Sequence, residues 1–250
     1  MFTQTPLDLR HSMLENVHST WLEILSRSLM CMSDDYLERL KMTQAWLPGS
    51  FFLFAAFQQP LLSTRFILLG ESPYPRAQSA NGCAFWDAAV KDLWSNTGLS
   101  KSVNRATSLR NMMKMLLHAR GDLVNDFSQA AIARLDHSMY YPTADRLFRN
   151  WIKHGFLLLN ASLVYTPGQV PDHARQWRPF MSSLLGELAI SCPWIKVLVL
   201  GRVAEKITLA HAFDCINAEH PYHTSFITNQ TVLDFFRPLN LLSVHDDNKH

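Results

Sequence analysis

The sequence predicts an α/β domain with a central four-stranded, mostly parallel sheet covered by helices. Four short runs are apolar without alternation, which is typical of strands buried on both faces. These runs are RFILLG at 65–70, GFLLLN at 155–160, IKVLVLG at 195–201 and DCINAEH at 214–220. Helical segments separate the runs along the chain, and this order of strand, helix and strand favours parallel pairing.

The helices are predicted from apolar residues that recur every three or four positions. Residues 1–60 are expected to be helical and to pack over the sheet, with one helix starting at Ser33-Asp34-Asp35 and continuing through YLERLKMTQAWL. Later helices are predicted at 108–119, 143–155, 178–191 and 203–213. Thr143 is the expected N-cap of the 143–155 helix, because its hydroxyl can accept a backbone hydrogen bond there.

The 250-residue chain is 48% hydrophobic and 18% charged, so it can bury one large core. A single domain is expected over residues 1–250, with a helical part at 1–60 and a frayed tail at 245–250. No run reaches the roughly 18 apolar residues of a membrane span, and the N-terminus lacks the features of a secretory signal. A cytoplasmic protein, monomeric and without membrane contact, is therefore predicted.

Composition argues against several cofactors. The four cysteines form no C-x-x-C pair and the histidines form no spaced ligand set, so neither a zinc site nor an iron–sulfur cluster is predicted. No G-x-G-x-x-G or Walker-type loop occurs, so no nucleotide cofactor is expected. The net charge of +2 says little about nucleic acid. Residues 101–120, however, hold five basic and no acidic side chains, which indicates a local basic surface or a solvated helix face.

The loop after the first predicted strand is a candidate binding wall, because ligands of parallel sheets bind beyond the carboxyl ends of the strands. Its sequence is ESPYPRAQSANGCAF, in which two prolines and a glycine favour a rigid, non-helical path. This loop presents Glu71, Ser72, Tyr74 and Phe85.

Two polar residues end other strands of the predicted sheet. Asn160 follows the second apolar run, and its amide can read the hydrogen-bonding edge of a base or an amide-like ligand, or it can cap a turn. His220 follows the fourth run, where Pro221 holds its backbone outside the helical region. Since both strand ends lie on the same rim, His220 is either a site residue beside Asn160 or a structural histidine.

Taken in order, the motifs of residues 65–236 resemble those of the family 1 uracil-DNA glycosylases. Two motifs are intact, and Gly168-Gln169 and His173 follow the second of them as in the family. Three others diverge from Gly-Gln-Asp-Pro-Tyr-His, Gly-Leu-Ala-Phe and His-Pro-Ser-Pro-Leu-Ser. The intact motifs are SLRN at 108–111 and LLLNA at 157–161, and the divergent ones are GESPYP at 70–75, GCAF at 82–85 and HPYHTS at 220–225.

The resemblance implies a three-layer α/β/α sandwich and an enzyme that flips a base out of DNA. It implies that Phe85 stacks on the flipped base, that Asn160 reads its pairing edge and that Tyr74 lies against the C5 side of a pyrimidine. His220 is then the donor to the base O2 oxygen, where negative charge grows as the base leaves. DNA is the implied partner, with contacts from Arg76, Ser108, Arg110, His173, Tyr222, His223, Thr224 and Ser225.

Two departures from the family pattern affect the chemistry. Ser72 occupies the position of the aspartate that positions the attacking water, and losing a general base costs about 10²–10⁴ in rate. Glu71 is the adjacent alternative carboxylate. Thr224 aligns with the leucine that fills the hole left by the extruded base, and it is too small to do so. His223 or Tyr222 is the alternative there.

Two functions remain open from the sequence. The first is a DNA glycosylase with altered specificity or reduced uracil activity, in which Glu71, Ser72 and His220 are the catalytic residues. Its substrate is uracil in DNA repair or a modified pyrimidine, including the modified cytosine of phage DNA in anti-phage defence. The second is a catalytically inactive module that binds DNA and recognises a flipped base. Ser72 favours the module, whereas the retained Asn160 and Phe85 favour the enzyme.

Overall fold

The fold is given by a computed structural model, which describes residues 13–43, 45–201 and 212–244. Four strands form one sheet in the order β4-β1-β5-β6, and all three pairings are parallel. The strands are β1 (Phe66–Gly70), β4 (Phe156–Asn160), β5 (Lys196–Leu200) and β6 (Asp214–Ala218). The predicted strands and their parallel pairing are confirmed. A separate antiparallel hairpin joins β2 (Trp94–Ser95) to β3 (Gly98–Leu99).

Strand β6 differs from the prediction that all four strands are buried on both faces. Asp214 and Asn217 are exposed, and the other β6 residues are only half-buried. The reason is position, since β6 pairs with β5 alone among the described strands and lies at one edge of the sheet. The prediction of double-sided burial is therefore wrong for this strand.

Eight α-helices lie within the described residues. The predicted helix at 108–119 is confirmed, and so is the helix capped by Thr143, whose hydroxyl accepts from the Arg146 N–H at 3.3 Å. The helix predicted at 203–213 lies outside the described residues except for its last two positions, and the tail at 245–250 lies wholly outside them. The helices are α1 (Leu22–Met30), α2 (Asp34–Thr43), α3 (Lys101–Arg105), α4 (Thr107–Arg120), α5 (Gln129–Ala133), α6 (Ala144–Lys153), α7 (Val170–Ser191) and α8 (Gln230–Phe236).

Helix α7 begins at Val170, slightly more than two turns before the predicted start at Arg178. Pro171 lies in its first turn, where the missing N–H of a proline costs no hydrogen bond. The helix then continues through Pro179, which the prediction had placed at the helix start. As a result His173, which precedes the predicted start of this helix, lies in the first turn of α7.

The two faces of the sheet are covered by different helices. Leu68 and Leu158 point into a cluster formed with α4, α6 and α8. Ile67 and Leu157 point the other way, into a cluster formed with α1, α2 and α7. This alternation gives the three-layer α/β/α sandwich that the resemblance implied. None of the helices in the described part of the chain is long and apolar enough to cross a membrane.

Candidate active site

The floor of the site lies where β1 and β4 end side by side. Gly70 is paired with Asn160 in the parallel register. A Cβ atom at Gly70 would lie 2.6 Å from the Asn160 Oδ1 atom, 2.8 Å from the Ala84 Cβ atom and 3.6 Å from a ring carbon of Phe85. A glycine is therefore needed at this position for the Asn160 amide and the Phe85 ring to lie next to each other.

Phe85 is held in an uncommon backbone conformation. Its φ is 63°, a region that bulky residues rarely adopt and that clusters at functional sites. The Tyr74 hydroxyl donates to the Phe85 carbonyl at 3.2 Å, and the Ala84 N–H donates to the Leu158 carbonyl at 3.0 Å. Burial raises the pKa of Tyr74, which keeps its phenol protonated and able to donate. Both bonds fix the ring of Phe85 against the sheet.

His220 is half-buried, and its hydrogen bond indicates which ring nitrogen carries the proton. The Tyr222 backbone N–H donates to His220 Nδ1 at 3.1 Å, so the neutral ring carries its proton on Nε2. Burial lowers the pKa of His220, the negative charge of Glu71 opposes this, and the positive charge of His223 adds to it. The His220 ring lies 5.8 Å from the Phe85 ring, centroid to centroid. A neutral donor therefore faces the same space as Phe85.

A second glycine supports His220. Gly201 follows β5 with a φ of +81°, and its N–H donates to the Ala218 carbonyl at 2.9 Å. A Cβ atom at Gly201 would lie 2.9 Å from the His220 Cβ atom. The two glycines at the ends of β1 and β5 thus leave the room that the site side chains occupy.

Asn111 holds the loop that follows β6, and the sequence reasoning gave it no role. Its side chain is 1% exposed, and its Nδ2 atom donates to the carbonyls of Pro221 at 2.7 Å, Tyr222 at 3.3 Å and His223 at 3.4 Å. Arg110 Nε donates to Asn111 Oδ1 at 3.3 Å. Asn111 is therefore a positioning residue, and its signal in the sequence was an amide within an apolar face of α4.

Glu219 anchors the same loop from the other side. Its carboxylate accepts from Asn229 Nδ2 at 2.7 Å, and Asn229 also caps α8. Burial by itself raises the pKa of Glu219, but hydrogen bonds from its own backbone, Ser225 and Asn229 lower that pKa overall. An ionised carboxylate next to His220 in the chain thus holds the loop without entering the site. This residue was also missed by the sequence reasoning.

The loop after β1 carries the two predicted catalytic residues besides His220. Glu71 is exposed, and its backbone carbonyl accepts from the Ser162 N–H at 3.0 Å. Ser72 is half-buried, and its hydroxyl makes no hydrogen bond to any residue that the structure describes.

Arg76 stabilises the wall of the site rather than standing free. It forms an ion pair with Asp87 at 3.1 Å, and Asp87 Oδ1 also accepts from the Ala89 N–H at 2.9 Å. Asp87 is buried whereas the Arg76 side chain is 58% exposed. The guanidinium therefore neutralises a buried carboxylate and still faces solvent.

The predicted DNA-contacting residues differ in how far they are exposed to solvent. Tyr222, His223, Thr224 and Ser225 are all exposed on the loop after β6. Ser108, in the first turn of α4, is half-buried.

The basic side chains of residues 101–120 are partly exposed and partly bonded within the protein. Lys101 and Arg105 are exposed on α3. Arg110 donates to the Asn104 carbonyl at 3.1 Å, and Arg120 pairs with Asp122 at 2.7 Å. Only part of the predicted basic surface is available to a ligand.

His173 does not reach this surface, which corrects the prediction that it contacts DNA. The residue is 3% exposed, and both ring nitrogens are bonded within the protein, to the Tyr36 hydroxyl at 2.7 Å and the Thr166 hydroxyl at 3.0 Å. Burial lowers its pKa, with the charge of Asp172 opposing the shift. Because α7 begins before His173, the ring turns into the core, where it joins α2 to the loop after β4.

No three His, Cys, Asp or Glu side chains of the described ranges are placed to hold a metal ion. Cys31, Cys83, Cys192 and Cys215 are free thiols. The arrangement thus contains a flat aromatic face, an amide and a neutral imidazole donor as its converging groups.

The chain is similar to proteins named uracil-DNA glycosylase. One from Thermobifida fusca is 25% identical over 214 residues, covering 84% of this chain and 81% of that protein. One from Helicobacter pylori strain J99 is 31% identical over 177 residues, covering 68% of this chain and 65% of that protein. One from a Nocardioides species is 29% identical over 153 residues, and the match spans only 54% of that protein's length. No protein-family model matches the chain.

Solved structures give a longer match. The mimivirus uracil-DNA glycosylase, at 18% identity and a TM-score of 0.54, shares the fold. The crystal structure of the wild-type UNG of Nitratifractor salsuginis superposes with a TM-score of 0.90 at 36% identity, covering 96% of this chain and 99% of that one. By this near-complete match and the shared fold, the chain belongs to the uracil-DNA glycosylase superfamily.

Proposed function

We propose that the protein is a DNA glycosylase that accepts a flipped pyrimidine, uracil in the first place, and hydrolyses its N-glycosidic bond to leave an abasic site. The observation that carries this proposal is the convergence of the Phe85 ring, the Asn160 amide and the His220 imidazole above Gly70 and Gly201. A planar base needs a face to stack on, a partner for its pairing edge and a donor for its carbonyl oxygen. The three groups supply one of each.

Base recognition is assigned to Phe85 and Asn160. Stacking on an aromatic ring contributes about 1–3 kcal/mol per base. The amide presents a donor and an acceptor side by side, which matches the O4 and N3–H groups of uracil. Asn160 is 3% exposed, so an unfilled site leaves few alternatives for its polar atoms. That cost favours a ligand with a complementary edge.

Tyr74 supports uracil over a bulky modified cytosine. Its hydroxyl is tied to the Phe85 carbonyl, so its ring cannot swing away without losing that bond. By the resemblance this ring lies against the C5 position, where hydroxymethyl or glucosyl groups project. Modified phage cytosine, and with it a role in anti-phage defence, is therefore the second substrate to be tested.

The proposed reaction begins as the bond between C1′ of deoxyribose and N1 of the base breaks. The electron pair stays with the base and negative charge accumulates on its O2 oxygen. His220 Nε2–H donates to that oxygen, which is worth a factor of about 10²–10³ for a positioned donor. Water then attacks C1′ and gives its proton to a carboxylate or to solvent. A neutral imidazole suits this role, since its proton stays on Nε2.

Glu71 is the proposed carboxylate, because Ser72 has no charge to oppose a positive sugar. Its backbone lies beside the floor of the site, because its carbonyl accepts from the Ser162 N–H, two residues beyond Asn160. We expect Glu71→Gln to lower kcat by about 10²-fold, within the range for a general base. Ser72→Ala is the matched control and should change kcat less than threefold. The reverse ranking in single-turnover kinetics would transfer the role to Ser72.

The proposed DNA surface joins the loop at 222–225 to Arg76, Ser108 and the exposed cations of α3. Arg110 acts through Asn111, and His173 is left out because it is buried. Exposed lysines and arginines bind phosphates without reading sequence. The loop at 222–225 begins two residues after His220 in the chain.

The experiment uses labelled single- and double-stranded oligonucleotides that contain uracil, and phage DNA with unmodified, hydroxymethylated or glucosylated cytosine. Abasic sites are detected by alkaline cleavage. Cleavage that is lost in Asn160→Ala and kept in Asn125→Ala, an exposed asparagine beyond the far end of α4, supports the glycosylase and names its base. Cleavage that survives in Asn160→Ala argues against the assigned site.

A catalytically inactive module that recognises a flipped base is the second candidate, and Ser72 is the observation that favours it. In that case the wild-type protein binds the same oligonucleotides and cleaves none of them. We further propose a monomer that acts in the cytoplasm, which light scattering and cell fractionation test.

A further inference from the structure

We propose that Tyr222 is a stacking platform for an unpaired nucleobase next to the flipped nucleotide, so that the site favours single-stranded over fully paired DNA. This inference rests on the proposed function, because it assumes that DNA occupies the site. It adds a second base-binding position, outside the pocket, and assigns the preference between single and paired strands to one residue.

Exposure is the first observation. The Tyr222 side chain is 65% exposed, although a large aromatic side chain is usually buried. Of the other exposed large aromatics in the described ranges, Phe51 and Phe52 contact each other edge to face, and Trp194 donates to the Thr64 carbonyl at the opposite end of β1. Tyr222 alone in this group shares a loop with a residue of the candidate site.

Rigidity is the second observation. The Tyr222 N–H donates to His220 Nδ1 at 3.1 Å, and its carbonyl accepts from the buried Asn111 amide at 3.3 Å. Pro221, just before it, restricts the backbone further. Both backbone polar groups of Tyr222 are thus engaged before any ligand arrives. A ring on such a backbone costs little ordering entropy when a base stacks on it.

Proximity is the third observation. His220 lies two residues before Tyr222, and its ring is 5.8 Å from that of Phe85. The Tyr222 and His223 rings meet at 89°, so they do not stack on each other. Tyr222 is thus two residues along the chain from a ring that contacts Phe85, and the proposal assigns the base on Tyr222 to a nucleotide that neighbours the one above Phe85.

The substrate class follows from what the loop lacks. Thr224, which follows Tyr222 and His223 in the loop, is too small to fill the hole that an extruded base leaves in a duplex. In a duplex the neighbouring base is also already stacked and paired, so reaching Tyr222 costs the energy of unstacking it. In a single strand the same base is free, and aromatic side chains bind single strands by such stacking. The exposed Lys101 and Arg105 on α3 are available to the phosphates.

The test uses oligonucleotides with uracil and a 2-aminopurine beside it, either single-stranded or annealed to a complement. Stacking on an aromatic ring quenches the 2-aminopurine fluorescence. We expect Tyr222→Ala to weaken single-strand binding and raise KM about tenfold, with kcat within twofold and the quenching lost. Tyr222→Phe and Tyr222→Trp should bind as the wild type does. Trp194→Ala, an exposed aromatic at the far end of the sheet, is the control.

Three results would overturn the platform while leaving the proposed function intact. Tyr222→Ala could bind single strands as the wild type does, Tyr222→Phe could fail as badly as Tyr222→Ala, or the loss could be equal on duplex DNA. Because fluorescence reports binding without cleavage, a protein that binds but does not cleave can still confirm the platform. A wild-type protein that binds neither form of DNA overturns both proposals.

Discussion

His173 and His220 are two histidines of the same chain whose pKa values are both lowered, mainly by burial. His173 has both ring nitrogens bonded to hydroxyl groups, those of Tyr36 and Thr166. His220 has its Nδ1 bonded to a backbone N–H, and its Nε2 has no partner among the described residues. The number of open nitrogens, rather than the pKa, separates the histidine that can act on a ligand from the one that joins structural elements.

The largest expected effect is on catalysis at His220. We expect His220→Ala to lower kcat by about 10²–10³-fold on whichever substrate the wild type cleaves, because the donor to the leaving base is lost. The free energy of unfolding should change by less than about 1 kcal/mol, since the ring is half-buried. Single-turnover kinetics and urea unfolding measure the two. A loss of kcat below fivefold would mean that His220, like His173, has a structural rather than a catalytic role.

His173→Ala should lower the free energy of unfolding and leave kcat nearly unchanged, which is the opposite of the result expected for His220→Ala. His173→Ala leaves the hydroxyls of the buried Tyr36 and the half-buried Thr166 without their shared partner and opens a cavity, which together cost about 2–3 kcal/mol of unfolding free energy. The kcat of the folded protein should stay within about threefold of wild type. A variant that is stable but inactive would mean that this histidine has a role in the reaction.

Low pH should act on activity through His220 and on stability through both histidines. Since the folded pKa of His220 lies below its ordinary value of 6.5, its ring is neutral at pH 7. As pH drops through that lower pKa, Nδ1 gains a proton and can no longer accept from the Tyr222 N–H, so the ring loses its orientation and activity falls, up to about tenfold per unit. Both histidines bind protons more readily when unfolded, so stability declines as pH falls below about 6.5. His173→Ala should reduce this decline in stability and keep the activity profile. An unchanged decline would show that His173 is not one of its causes.

The smallest effect is expected at Tyr36. Tyr36→Phe removes the hydroxyl that bonds His173 and should cost about 1 kcal/mol of unfolding free energy with kcat unchanged. Adding Tyr36→Phe to His173→Ala should cost less than the sum of the two, because both remove the same bond. Full additivity in urea unfolding would show that the two groups act separately.

The sequence predicted the four strands from apolar runs and predicted Asn160 and His220 from their place at strand ends, because both signals are local. The role of Asn111 was not predictable, since its acceptors are carbonyls about 110 residues away in the chain. The contact of His173 with DNA was implied by the resemblance alone, and its ring is buried in the first turn of α7, which begins at Val170 rather than at the predicted Arg178. The exposure of β6 depends on strand order in the sheet, which short-range patterns do not contain.

The bonds from Asn111 to three successive carbonyls also bear on how the protein melts. Asn111 belongs to α4, whose neighbouring side chains Met112 and Met113 lie in the main core cluster. The loop that carries His220 and Tyr222 is therefore fastened to the core of the domain, although it lies at the surface. Opening this loop breaks its bonds to a buried side chain, so we expect it to open less readily than a surface loop without such bonds. Amide exchange at Tyr222, whose N–H is bonded to His220 Nδ1, should report that difference.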